Sequence, residues 1–416
     1  MPAQVDPTAV LPFELLVHIL QVGRFTAPDA PVRLVCHAMC AAASDASFYR
    51  RLAVRIPRLD EEQIKEGNFL STYVAALPPH ATRGVTNFKL RKTEWLQNVS
   101  VEDLAAAMRL LPLVAILDAW NCFETGTNAL WEAMPPHLVA LNVGGLPGGA
   151  DFSGLPARFE RLESLVAHNV HEPHRAIPFG SLERLRRLVM KDAFMLDHRK
   201  LLEAVATAPC AGILVALSLR RSMFVRECPQ VDPAFLAPVV DGRLPALREF
   251  DLGLSRSATA GAEAAIAAAF ASLDRLKVFG LVTDSPELCA ALVAGDALPP
   301  NLTALHFKAE YPVGAAAFGL VEVLPVSLTH LEILFSSRPS ATEMAAVLSR
   351  CPALETLCTA SVASDTPTVL IDAATGGRSL EVSIGTTRTA KEAMKAAGIT
   401  VLGPAEGMVD VRWRLS

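Results

Sequence analysis

The chain has 416 residues, 51% of them hydrophobic and 19% charged, with Lys+Arg 38 against Asp+Glu 43 and a formal net charge of −5. That balance lacks the basic excess of a nucleic-acid binder, and no uncharged apolar run reaches the ~20 residues of a membrane span. Eight cysteines, at 36, 40, 122, 210, 228, 289, 351 and 358, show no paired C-x-x-C spacing and fall mostly in apolar stretches. Reduced, buried thiols of an intracellular protein have that distribution. Met-Pro-Ala-Gln-Val-Asp at the start carries no basic n-region. The expectation is a protein of the cytoplasm or nucleus, with neither membrane nor nucleic acid as partner.

Residues 10–55 follow one rule and the rest of the chain another. Val10-Leu-Pro-Phe-Glu-Leu-Leu-Val-His-Ile-Leu20 predicts a helix opened by proline in its first turn, with Leu15, Leu16, Ile19 and Leu20 on one apolar face. After a linker holding Pro28 and Pro31, residues 32–43 predict a second helix and Phe48 to Leu52 a short third one. Three small helices make a meagre core, so such a piece gains stability by docking onto something larger. Residues 56–80 read as a connecting segment.

From residue 81 to the end a repeat takes over. An apolar residue followed by others three and five positions later recurs eleven times, opened by Val85, Leu113, Leu138, Leu162, Leu185, Leu214, Leu247, Leu276, Leu302, Leu328 and Leu354. The third slot is apolar in nine of them, Asp118 and Thr359 being the exceptions. A period in the twenties with L-x-x-L-x-L marks a leucine-rich-repeat solenoid, in which each unit buries its apolar edge against its neighbours. Proline stands just before the opener at Pro112, Pro136, Pro245, Pro300, Pro325 and Pro352, where a return segment stops and a strand begins. Ser100, Ser285 and Ser340 each precede a helical pattern with acid in its first turn. The shortest gaps leave room only for turns or a short 3₁₀ segment. Residues 379–384 and 399–402 read as degenerate last repeats, and Val409 to Leu415 as a cap over the exposed edge. The predicted fold is therefore α/β: a leucine-rich-repeat solenoid with a curved parallel sheet, preceded by a small all-helical domain.

Reactive constellations are missing from this pattern. His168-x-x-His171-x-x-His174 contains Pro173, which forbids the regular helix that would align ligands, so solvated histidines are expected rather than zinc. Gly144-Gly145-Leu-Pro-Gly148-Gly149 lacks the Lys-Ser/Thr ending of a phosphate loop and reads as a turn. The chain predicts no enzyme, no metal and no cofactor. Strand alternation instead turns the residues between the leucines to the open, concave face, Ser218 among them. Two adjacent repeats there are basic: Arg186, Arg187 and Lys191 in one, Arg220 and Arg221 in the next, with His168 in the repeat before. Parallel strands lie ~4.8 Å apart, so these charges are expected to gather into one patch for an acidic or phosphorylated segment of a protein substrate.

The head carries a more specific signal. Leu11-Pro12-x-Glu14-Leu15-Leu16-x-x-Ile19-Leu20, then Arg33-Leu34-Val35-Cys36-His37, then Asp45-x-x-Phe48-Tyr49-Arg50-x-Leu52 together resemble an F-box. Met39 and Tyr49 stand where that motif has tryptophan. The resemblance covers about residues 10–55, and the remainder is similar to the repeat half of F-box/leucine-rich-repeat proteins. It implies a substrate-receptor subunit of a Skp–cullin–F-box ubiquitin ligase, whose head packs on a Skp-type adaptor and through it a cullin. The repeats would hold the protein to be ubiquitinated. By matching position the adaptor-facing residues are Leu11, Pro12, Leu15, Leu16, Ile19, Leu34, Val35, Cys36 and Met39. A leucine-rich-repeat scaffold without a ligase role is the alternative.

Overall fold

A computed structural model describes residues 51–56, 68–77, 79–92, 99–120, 128–144, 152, 154–168, 170, 172–193, 196–221, 231–309, 319–334, 340–359, 381–384 and 400–402. The head up to residue 50 and the expected cap at 409–415 lie outside them. The chain divides into two compact units, residues 1–194 with 208–210 and residues 195–207 with 211–416.

The first unit is built on six parallel strands in chain order: β1 (Arg51–Ile56), β2 (Asn87–Lys92), β3 (Ile116–Trp120), β4 (Ala140–Gly144), β5 (Ser164–His168) and β6 (Arg187–Ala193). Its register aligns Phe88, Leu117, Leu141, Leu165 and Leu188 across successive strands, all of them fully buried. The second unit carries eight: β7 (Ala216–Arg221), β8 (Glu249–Leu254), β9 (Val278–Thr283), β10 (Ala304–Ala309), β11 (His330–Leu334), β12 (Thr356–Thr359), β13 (Glu381–Ile384) and β14 (Thr400–Leu402). Here Leu217, Phe250, Phe279, Leu305, Leu331 and Leu357 form the aligned, buried row. Within each unit these rows bury one residue of each strand they cross in line with those of its neighbours, which is the packing a repeat array needs. The two degenerate repeats expected near the end supply β13 and β14.

The return segments vary as their lengths demand. Helices Val101–Leu110, Pro286–Ala294 and Ala341–Arg350 follow the three capping serines. The Ser100 hydroxyl accepts from Asp103 N at 3.0 Å, the Ser285 hydroxyl accepts from Leu288 N at 3.1 Å, and Ser340 forms a reciprocal capping box with Glu343. Among the described residues, the shorter gaps hold Leu155–Arg158, or Pro173–Ala176 with the 3₁₀ turn Phe179–Ser181.

Three expectations are corrected. The register pairs Ile116 with Ala140 and Leu117 with Leu141, so the opener of that repeat is Val114, fully buried, and not Leu113, which is 53% exposed. Leu113-x-x-Ile116 mimics the motif one residue out of phase. With Val114 as opener the third slot is the buried Ala119, and Asp118 ceases to be an exception. Secondly, Arg51 and Leu52 begin β1 rather than end a third helix; Leu52, Val54 and Ile56 alternate with Ala53 and Arg55, the period of a strand. Thirdly, the segment expected to be a connector holds the helix Phe69–Ala75, the return between β1 and β2. The repeats thus begin at Arg51.

Candidate functional site

The face of each sheet away from its helices is built from the residues between the buried rows. In the first unit its middle row runs Lys89, Asp118, Asn142, Val166 and Val189. Asp118 accepts from both sides, with Lys89 Nζ at 2.7 Å from Oδ2 and Asn142 Nδ2 at 2.8 Å from Oδ1. A carboxylate set between a cation and an amide on neighbouring strands has its charge balanced in place.

The basic residues predicted for this unit do not form one cluster. Arg186 is exposed and precedes β6. Arg187 and Lys191 are half-buried on the same face of β6, four residues apart, which is ~13 Å along a strand. Val189, buried, lies between them. His168 is the register partner of Lys191, as alternation required, but at 6% exposure it is buried and not solvated.

In the second unit the middle row runs Ser218, Asp251, Gly280, His306, Glu332 and Cys358. Asp251 is 4% exposed. Its Oδ2 accepts from Arg220 Nε at 2.6 Å and from Ser218 Oγ at 3.0 Å. The predicted free cation Arg220 is therefore balanced by an internal carboxylate. Ser218, expected to face solvent, is buried as a donor to that carboxylate. Opposite Asp251, a Cβ on Gly280 would lie 2.6 Å from Oδ1, so only glycine lets the carboxylate occupy that space. Further along the row His306 Nδ1 lies 2.9 Å from Glu332 Oε2. Arg221 closes β7, its side chain lying outside those described.

Sequence reasoning missed Asp251 because it stands one repeat away from its partner Arg220. The signal was present: Asp118 and Asp251 both stand four residues after a true opener, Val114 and Leu247, in the slot that faces away from the helices.

Elsewhere, Arg243 reaches both carboxylate oxygens of Glu203 at 2.7 Å, and that bidentate bond holds the Glu203 carboxyl below its ordinary range and raises the Arg243 guanidinium. Burial pushes the thiol of Cys289 up to about 12 and that of Cys210 upward. Among the described residues, no three His, Cys, Asp or Glu side chains are grouped to hold a metal ion, and no helix is long and apolar enough to cross a membrane. Leu11, Pro12, Leu15, Leu16, Ile19, Leu34, Val35, Cys36 and Met39, the adaptor-facing set, lie outside the described residues. In comparisons with known proteins, no family model and no curated protein matches this chain.

Proposed function

We propose that the chain is the substrate-receptor subunit of a Skp–cullin–F-box ubiquitin ligase, acting in the cytoplasm or nucleus without covalent chemistry of its own. The observation that carries this reading is the run Leu11-Pro12-x-Glu14-Leu15-Leu16 followed within forty residues by β1, the first strand of a register-aligned repeat array. A head whose sequence predicts small apolar helices, followed in the chain by a repeat array, would divide the labour: one part to dock on an adaptor, the other to hold a protein. The open faces support the second role, since their middle rows carry polar side chains fixed by their neighbours, which suits recognition of a partner surface. Copurification of the full chain with a Skp-type adaptor tests the proposal. The wild type should form a complex and the double variant Leu11→Ala, Pro12→Ala should not, with the repeats still folded. No complex with the wild type, or equal complexes from both, overturns it.

One observation favours a second reading, a repeat scaffold without a ligase role. β1 takes up Arg51 and Leu52, which the F-box resemblance gives to the end of the head. A head that shares residues with the first repeat is one suited to packing on it. In that case the double variant would lower the stability of the repeats and no adaptor would be bound.

A further inference from the structure

We propose that Arg220 is an oriented hook for a carboxylate on a partner protein, gripped end-on by its two Nη groups. Asp251, Ser218 and Gly280 are the residues that position it. The inference deepens the reading of the repeats as a partner-binding surface and rests on it, but needs nothing from the head.

The argument begins with geometry. Guanidinium is planar and rigid, so a 2.6 Å bond from Nε to a buried carboxylate fixes its plane as well as its place. That carboxylate is itself fixed, by the Ser218 hydroxyl on one strand and by the space that Gly280 leaves on the other. The distal edge, Nη1 and Nη2, makes no hydrogen bond to a described residue, and the side chain keeps 18% of its surface exposed. One residue beyond the register pair Leu219–Leu252 the neighbouring strand has Gly253, so past Asp251 β8 places no further side chain beside Arg220 on that face. Two parallel N–H donors held in a fixed plane match the two oxygens of a carboxylate.

Electrostatics selects among anions. Asp251 cancels the arginine charge, so the hook attracts little at long range and discriminates by the fit of two hydrogen bonds. The second charge of a phosphate doubles the attraction of the guanidinium and the repulsion of Asp251 alike, so beside a balanced pair it adds little. The two coplanar oxygens of a glutamate, an aspartate or a chain terminus match the planar donor pair, and that fit sets the choice.

The test uses the full-length protein and p-hydroxyphenylglyoxal, a reagent that condenses with the paired Nη atoms of arginine. Modification of Arg220 is followed by peptide mass spectrometry in chloride, acetate or inorganic phosphate at equal ionic strength. Arg220 should be labelled in chloride, and acetate should slow it roughly twofold at half-saturation, by mass action. Phosphate should protect no better than acetate. Arg243, with both Nη atoms engaged by Glu203, is the slow internal control. Asp251→Asn should shift the balance towards phosphate, because the guanidinium is then uncompensated and attracts the doubly charged anion more strongly. Equal rates in acetate and chloride, or no labelling of Arg220 in chloride, overturn the proposal. Should Asp251→Asn fail to fold, the three-anion comparison on the wild type decides alone. Loss of the adaptor complex with Arg220 protection intact would fault only the head, and the reverse only this hook.

Discussion

Asp103, in the helix Val101–Leu110, accepts the backbone N–H of Leu70 at 2.7 Å, thirty-three residues earlier and in the return segment of the preceding repeat. Its other oxygen takes the N–H of Ser71 at 2.8 Å. One buried side chain thus caps the first turn of the helix Phe69–Ala75 from outside, where Asn68, the residue at the cap position, makes no side-chain bond. Asp103→Ala should expose this dependence. Each buried N–H left without an acceptor costs about 1–3 kcal/mol, so the urea midpoint should fall clearly, whereas Glu102→Ala on the same turn should move it little.

Register correction makes the interior separable by mutation. Leu217→Ala, in the aligned buried row, should cost about 2–5 kcal/mol through lost transfer energy and the cavity left behind. Val114→Ala should cost at least the ~0.8 kcal/mol of each buried carbon removed, plus a cavity term. Leu113→Ala, its exposed neighbour, should stay within about 0.5 kcal/mol of wild type. Equal losses for Leu113→Ala and Val114→Ala would mean that the register is not the one described. Chemical denaturation of the three variants decides.

Thiol chemistry should follow burial. With its pKa pushed up to about 12, Cys289 holds almost no thiolate at pH 8, and the Cys210 thiol is raised too. Iodoacetamide followed by peptide mapping should leave both intact in the native protein and alkylate both in urea. Cys358, half-exposed on the open face, should be modified ahead of either.

The pH dependence has one assignable contribution. Glu203 has its folded pKa lowered by the Arg243 bond, so its stabilisation is full above the ordinary carboxylate pKa near 4.5. It is lost as pH falls through the lower, folded value. Melting temperatures of wild type and Glu203→Gln should therefore differ at neutral pH and converge in acid. The pair is exposed, so the difference should be small and should shrink with salt. A gap that persists below pH 3 would show that the glutamine acts through packing instead.

How far the fold was legible depended on whether its cause was local. The caps at Ser100, Ser285 and Ser340 needed only the next three residues, and all three helices stand where the pattern put them. The buried rows needed one period, and they too follow, apart from Leu113, where a second leucine made a competing phase. Arg220 and Asp251 are a different case. They stand thirty-one residues apart, and their bond requires the register of β7 on β8 together with the absence of a side chain at Gly280. No single repeat contains that information. His168 was misjudged for a related reason: a polar residue at the end of a strand reads as solvated until its neighbours in other repeats are placed around it.

Bonds between return segments have a consequence for how such a chain can change length. Ser327 Oγ donates to Leu302 O at 2.6 Å, Arg350 Nε to Leu324 O at 2.9 Å, and Asn301 Nδ2 to Asp274 O at 2.8 Å, each reaching back a single period. None of these three bonds spans two periods. Excision of one whole unit would bring together two ends that already resemble the junction removed, and the new neighbours would offer one another the same carbonyls. Loss of a single residue within a strand would instead turn the rest of that strand to the wrong face of its pleat. Gene duplication and unequal recombination can therefore lengthen or shorten this array in steps of a full repeat, while the smallest frame-preserving deletion within a strand is the one it tolerates least.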